Sequence, residues 1–538
     1  MKKILYIKIK FFTLLALIAL LFSACLDDLN VSPKDDDDFT DEQFYQDPNS
    51  YIQFMAKIYA GLAVTGQAGP AGTPDIQGID EGFGQYLRGY WQLQELPTDE
   101  AMVSWGDPTL PELNTQTWTK DNRFVQAFYS RCFYQIGLAN EFLRESTPDK
   151  LSSRGASAEL QAQVEVYRAE VRFLRALSYY HGIDLFGKVA FATENDKVGV
   201  PPQEKDRVYV YDYIVSELLA IDPTLKAAKT NDYGRVDKIG AKMLLAKMYL
   251  NSEVYTEVNR DAEALQVIND IIASPYKIAK VPYSNLFMAD NNRSAVSTEI
   301  IFPVLFDGLY TKSWGGTTYL VHAPCGDWND DLGITGGWFG LVGRKEFAEI
   351  FPDLTGTGDK RAMFLNTDQP LSIPISSDFF GNETKPSYGL NVRKWTNKTH
   401  TGGAASATEH PDTDFPMFRM ADVYLMYAEL AAKGVGGASK STAKDYINEL
   451  RVRAQASLIT EADIDSQFVL NERARELYWE GHRRQDLIRF NKYTGSSYIW
   501  EWKGNVQPGT GIDEHFKLYP IPQTEINANP NLTQNLGY

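Results

Sequence analysis

Two blocks of helix-period apolar residues, parted by a long stretch that lacks the period, constrain this chain more than any other feature. In the first block Val166, Ala169, Phe173, Leu177 and Tyr180 recur at three- and four-residue steps, one face of a helix. Gly182 and Gly187 punctuate the exit into Asp184-Leu185-Phe186-Gly187-Lys188. A further helix begins at about Val236, with Ala241, Leu244, Leu245 and Met248, and another spans about Asp261–Ala273, ending before Ser274-Pro275. The second block opens with Met420, Tyr424, Tyr427 and Ala431, continues at Ala443–Arg453, and runs strongly through Asn471–Phe490. From about 275 to 415 Gly, Pro, Asn, Thr and Trp are frequent and short β-like runs such as Glu299–Leu305 appear. The expectation is a mainly α fold: a helical scaffold interrupted by a loop-rich insertion carrying short β segments. Paired helices of moderate length suggest a tetratricopeptide-like array, in which each pair buries its face by stacking on the next. Long loops without secondary structure of their own are usually functional.

The front of the chain adds a location. Lys2, Lys3, Lys8 and Lys10 precede an apolar run from Phe11 to Phe22, broken only by Thr13. That run is about half of the roughly 20 residues a helix needs to span a bilayer, so it reads as a secretory h-region. Ser23 and Ala24 directly before Cys25 form a lipobox-like site, with residues 1–24 removed and Cys25 acylated. An ordinary signal peptide with an incidental cysteine is the competing reading. Residues 25–50 then read as an acidic, loop-like tether, with Asp27-Asp28 and Asp35 to Asp38, and residues 51–538 as one domain. The same acids also fit a sorting signal for export to the outer face.

Removing residues 1–24 takes away four lysines and no acid, so the formal charge moves from −17 to −21. Such a surface repels phosphate backbones, which argues against nucleic acid and suits a neutral or cationic ligand. Besides Cys25 only Cys132 and Cys325 remain, allowing at most one disulfide. Aromatic residues make up 13% of the chain, with 10 Trp and 30 Tyr, more than the core obviously requires.

Three segments carry a resemblance. They are Ala169-Glu170-Val171-Arg172-Phe173-Leu174-Arg175-Ala176 through Asp184-Leu185-Phe186-Gly187, then Arg235-Val236-Asp237-Lys238 through Asn251, and Glu472-Arg473-Ala474-Arg475-Glu476-Leu477-Tyr478-Trp479-Glu480-Gly481-His482-Arg483-Arg484 through Phe490. With the lipobox and the closing Tyr519-Pro520-Ile521-Pro522, they resemble the SusD/RagB family of outer-membrane glycan-binding lipoproteins. Glu95 to Glu100, Leu286 to Asn291 and Gly315 to Val321 are similar to its starch-binding founding member. The resemblance implies about four tetratricopeptide-like helix pairs supporting a loop-built glycan site. It also implies a TonB-dependent SusC-type transporter as partner, a lipid anchor in the outer membrane facing outward, and binding without catalysis. A single structural Ca²⁺ is a further expectation, with no ligands named.

The stretch from Glu476 to Asp486 could pass for an active site. Placed on one helix, Glu480 would reach Arg483 and Arg484 at i+3 and i+4, so the expected role is structural. Asp327-Trp328-Asn329-Asp330-Asp331 fails as an EF-hand, since positions six and twelve hold Leu332 and Trp338. The six histidines are scattered, without zinc spacing, and neither a G-x-S-x-G elbow nor a Walker A loop is present. Paired glycosidase carboxylates leave no local signature and stay open.

Binding candidates are the tryptophans badly placed for a core. Trp105 precedes Gly106-Asp107-Pro108, Trp314 precedes Gly315-Gly316, and Trp338 follows Gly336-Gly337, all loop contexts. A loop indole can stack on the apolar face of a pyranose while its edge stays wet. Arg88 is the candidate donor fork for paired hydroxyls. Trp118, Trp395 and Trp479 are assigned to the scaffold. In the resemblance, Arg88, Trp105, Trp314 and Trp338 fall on binding positions. Trp314 replaces a tyrosine of the starch binder and Pro108 an asparagine, which leaves Asp107 as the neighbouring polar side chain. The implied ligand is a neutral glucan such as starch or maltooligosaccharides. A β-glucan, a surface glycoside hydrolase and a peptide-uptake lid are the other readings.

Overall fold

Helix caps and apolar stripes written into the sequence account for the scaffold of the computed structural model, which describes residues 41–70, 74–374, 379–381 and 387–538. The proposed signal peptide, Cys25 and the tether as far as residue 40 lie outside the described residues. The chain divides into two compact units, Met1–Ser50 and Tyr51–Tyr538. Within the first, a helical turn at Asp41–Phe44 precedes an edge-to-face pair of Phe44 and Tyr45.

The longer helices of the second unit are α1 (Tyr86–Glu95), α2 (Arg123–Glu145), α3 (Ala158–Phe186), α4 (Arg207–Ile221), α5 (Lys238–Leu250), α6 (Asp261–Ala273), the short α7 (Gly316–His322), α8 (Met420–Lys433), α9 (Lys440–Arg453), α10 (Ser466–Leu477) and the short α11 (Arg483–Arg489). Their starts are fixed by side chains that accept orphan backbone N–H groups. Asn122 accepts from Phe124 and Val125, Ser157 from Leu160, Asp206 from Tyr209, and Asp237 from Ile239 and Gly240. On α3 the stripe Ala169, Phe173, Leu177 and Tyr180 is buried, whereas Val166 stays partly exposed. Gly182 does not end that helix; it runs on to Phe186 and is capped by Gly187 at φ 74°. The packing order is α2 on α3, α3 on α4, α4 on α5, α5 on α6, α6 on α8, and α8 on both α9 and α10. This is the mainly helical, tetratricopeptide-like scaffold expected from the sequence.

Between α6 and α8 the chain leaves the scaffold and returns. The excursion is pinched at its base because β4 (Ile300–Val304) pairs antiparallel with β8 (Phe415–Arg419), which leads straight into α8. Three other two-stranded ladders join β1 (Ala101–Val103) to β5 (Leu341–Gly343), β2 (Val189–Phe191) to β3 (Gln203–Lys205), and β6 (Phe364–Leu365) to β7 (Asn391–Val392).

The segment Asn471–Phe490 corrects the sequence reading. It is two helices, α10 and α11, separated by a turn in which Trp479 has φ 59° and Gly481 φ 82°. Glu480 therefore does not pair with Arg483 and Arg484. It bonds Lys394 at 2.6 Å and Arg419 at 2.6 Å, while Arg483 pairs with Asp99 at 2.6 Å and Arg484 with Asp184 at 3.2 Å. The turn exists to receive α1. Gly481 and His482 donate their backbone N–H groups to Glu95, Trp91 Nε1 donates to the Trp479 carbonyl, and Tyr90 Oη to that of Gly481. A Cβ on Gly481 would lie 2.7 Å from the Tyr90 ring, so only glycine lets the two segments meet this closely.

Beneath this turn lies a buried ion network. Arg419 bonds Glu299, Glu476 and Glu480, and Arg361 bonds Asp359, Glu472 and Glu476. Arg453 bridges Glu299 and Glu476. Burial alone would raise the Glu472 carboxyl, but the guanidiniums of Arg361, Arg475 and Arg451 outweigh it and hold the group below the usual carboxylate range. Cys132 and Cys325 are both buried and free, so the one disulfide the composition allowed is not formed. Trp395 and Trp479 are fully buried and Trp118 nearly so, in keeping with scaffold roles.

Candidate glycan-binding arc

Strand pairing brings the first two candidate tryptophans together. In the β1–β5 ladder Val103 faces Leu341, so Trp105, two residues past β1, meets Trp338, three residues before β5. The junction is locked by the Ser104 N–H donating to the Gly340 carbonyl and by Trp105 Nε1 donating to the Phe339 carbonyl, both at 2.9 Å. Gly340 has φ 102°, and a Cβ there would stand 2.3 Å from Trp105 Nε1. Arg344 anchors the ladder from behind by donating to the carbonyls of Ala101, Asn114, Leu96 and Glu501.

Trp314 reaches the same place through α7. Gln85 Oε1 accepts from the Arg88 and Gly316 backbone N–H groups, tying the starts of α1 and α7 to each other. At the far end of α7 the His322 carbonyl accepts from the Trp338 N–H at 2.9 Å. The indole of Trp338 lies 6.3 Å from that of Trp105 and 6.1 Å from that of Trp314, with interplanar angles of 51° and 58°. All three rings are partly exposed. The result is a continuous aromatic arc in which neighbouring rings are tilted by similar angles.

Arg88 sits behind it on α1. Its Nη1 donates to the Trp314 carbonyl at 3.0 Å, and its guanidinium lies 4.5 Å over the Tyr319 ring and 5.8 Å from that of Trp105. Burial lowers its pKa, opposed by Tyr319, Asp80 and Asp107. Asp107 is exposed two residues beyond Trp105, and Asp80 is exposed with its Oδ1 accepting from the Gly82 and Phe83 N–H groups. Thus the structure brings Arg88, Trp105, Trp314 and Trp338 into one patch and leaves Asp107 at its edge. Part of the Arg88 fork is spent on holding Trp314, a use the sequence reading did not foresee.

Sequence reasoning missed Asp80, Tyr319, His322 and His410. His322 stacks on Trp338 at 5.0 Å and 28°, and His410 lies 4.8 Å from Trp314. Neither histidine belongs to a local motif, so only the fold could place them. Among the described residues no three His, Cys, Asp or Glu side chains group closely enough to hold a metal ion. A cavity of about 890 Å³ under the 192–202 loop shares no residue with the arc.

The chain is 34% identical to the starch-binding protein SusD of Bacteroides thetaiotaomicron, over 97% of this chain and 98% of that protein. It belongs to the SusD family. The family's sequence profile matches residues 326–538. SusD-like protein P2 of Formosa agariphila is 25% identical over 79% of this chain and 82% of its own length. Among solved structures, a SusD superfamily protein from Parabacteroides distasonis superposes with a TM-score of 0.69 at 21% identity, covering 91% of this chain and 99% of that one. Surface glycan-binding protein A from Bacteroides thetaiotaomicron, in complex with laminarihexaose, superposes with a TM-score of 0.66 at 18% identity, covering 90% and 98%. These two likenesses establish a shared fold. Among the described residues no helix is long and apolar enough to cross a membrane.

Proposed function

We propose that this SusD-family protein is a lipid-anchored surface protein that captures starch-like α-glucans and passes them to a TonB-dependent SusC-type transporter. The observation that carries the reading is the Trp105–Trp338–Trp314 arc with Arg88 behind it. Three partly exposed indoles set 6.3 and 6.1 Å apart and turned by 51° and 58° offer a curved track of stacking surfaces. A coiled α-glucan presents its apolar sugar faces along such a curve, whereas a flat ribbon would engage one facet at a time. Exposed Asp80 and Asp107 supply acceptors, and the Arg88 guanidinium beside them donors, for hydroxyls that ring faces cannot discriminate. The 34% identity to a starch-binding relative supports the same reading. Capture needs no bond-breaking group. The membrane attachment rests on Cys25, and the transporter on the family resemblance.

Pro108 favours a second reading in which the ligand is a β-glucan or another neutral polysaccharide. It removes a hydrogen-bonding side chain beside Trp105, and a fold neighbour is in complex with laminarihexaose. Affinity electrophoresis of the chain beginning after Cys25, in gels containing amylopectin, pullulan, dextran, xyloglucan or laminarin, separates the two. Retardation by amylopectin and pullulan, lost in the triple variant Trp105→Ala, Trp314→Ala, Trp338→Ala, is the expected result. Retardation by laminarin or xyloglucan alone overturns the ligand. New reducing ends after long incubation with starch would replace binding by hydrolysis, and binding that survives the triple variant would move the site elsewhere.

A further inference from the structure

Two of the three platforms rest on buried imidazoles. His322, at the end of α7, is 1% exposed and stacks nearly parallel on Trp338, 5.0 Å away at 28°. Its Nδ1 lies 3.0 Å from the Gly336 carbonyl, which fixes the glycine turn just before Trp338. His410 is 3% exposed and lies 4.8 Å from Trp314 at 49°. Each partly exposed indole is therefore in contact with a buried histidine ring, stacked on Trp338 and tilted against Trp314.

We infer that His322 and His410 are positioning residues for glycan capture: each sets, from behind, the angle at which an indole meets the sugar, and protonation of either ring loosens the arc. This rests on the arc being the glycan site. The groups around the two rings decide the direction. Burial lowers His322, the carbonyls of Gly336 and Glu409 oppose it, His410 adds to the lowering and the Glu409 charge opposes it. Burial also lowers His410, against Glu409 and the Ser313 carbonyl and with Lys312. In both the net shift is downward, so both rings work uncharged. An imidazolium would gain cation–π attraction to its indole and keep its carbonyl contacts, but among the described residues the one carboxylate acting on either ring is Glu409, itself exposed and 4.0 Å from His410, and together these do not offset the lost hydration. The two rings would also repel each other once charged.

The test compares affinity for amylopectin and maltoheptaose in the chain beginning after Cys25, the double variant His322→Phe/His410→Phe, and His322→Ala/His410→Ala. Phenylalanine keeps a backing ring that cannot be protonated; alanine removes it. The parent should bind evenly above about pH 7 and lose affinity progressively in acid, at a pH below the ordinary imidazole value of about 6.5 because burial lowers both rings. The Phe variant should bind within about threefold of the parent at neutral pH without the acid loss, and the Ala variant should lose about tenfold throughout. A parent profile flat from about pH 7 down to about pH 4, where the buried carboxylates begin to protonate, overturns the proposal, as does an Ala variant that binds like the parent. If the parent binds no glucan at any pH, the functional reading fails, and tryptophan fluorescence without sugar decides the positioning role. An acid transition that disappears in the Phe variant supports it, and a flat trace overturns it. Should the Phe variant not fold, the parent profile and the Ala variant at neutral pH decide alone.

Discussion

At the scale of single residues, the proposed binding surface depends on positions that bind nothing. Gly340 is the sharpest case, because its φ of 102° and the 2.3 Å approach to Trp105 Nε1 leave no room for a side chain. Gly340→Ala should cost about 1–3 kcal/mol of stability in a urea melt and weaken glycan retardation as well, since the strain falls on the arc itself. Trp338 is the middle ring and touches both others. Trp338→Ala should therefore reduce affinity more than Trp105→Ala or Trp314→Ala, by more than about tenfold in isothermal titration. The three indoles were legible as loop aromatics because glycines flank them. Asp80, Tyr319, His322 and His410 were not, because their partners lie in other segments and no spacing announces them.

At the scale of elements, periodicity located α3, α5, α6, α8 and α9 well and failed at α10 and α11. The run from Asn471 to Phe490 holds no proline to mark a break, but Glu95 on α1 bonds two backbone N–H groups of the intervening turn and holds it open. A local pattern cannot register a partner nearly four hundred residues away. The charged residues of that segment are structural, as expected, yet they pair with distant groups instead of along one helix. Arg419→Met removes the cation shared by Glu299, Glu476 and Glu480, leaving Glu299 with Arg453, Glu476 with Arg361 and Arg453, and Glu480 with Lys394. It should cost about 3–5 kcal/mol, read from a shift in the urea midpoint with an unchanged slope. Glu472, Glu476, Glu480 and Asp486 are buried yet held below the usual range by neighbouring arginines, Arg361, Arg453, Arg419 and Arg473 foremost. Their contribution is fully present above the unfolded carboxylate value of about 4 and is lost as pH falls through the lowered values. Thermal melts should therefore show Tm declining below about pH 4, and Glu472→Gln should shallow that decline while lowering Tm at neutral pH.

For the whole molecule, the helix pairs and the excursion between α6 and α8 divide the labour. The scaffold is a stack in which α6 packs directly on α8, and the β4–β8 ladder closes the neck through which the site-bearing segments leave. The proposed attachment lies outside the described residues and is tested separately: Cys25→Ala should shift the protein from the membrane fraction to the soluble fraction of lysed cells while leaving glycan retardation unchanged. Helix class and the loop placement of Trp105, Trp314 and Trp338 followed from the sequence, because each is a local property of period or neighbouring residues. The sequence could nominate Arg88 and the three tryptophans singly. That they share one patch, with Arg88 bonded to the Trp314 carbonyl and histidines behind two of the rings, was decided only by the tertiary structure. Ladder register and backbone capping act between segments more than two hundred residues apart, and their geometry exists only once the chain has folded.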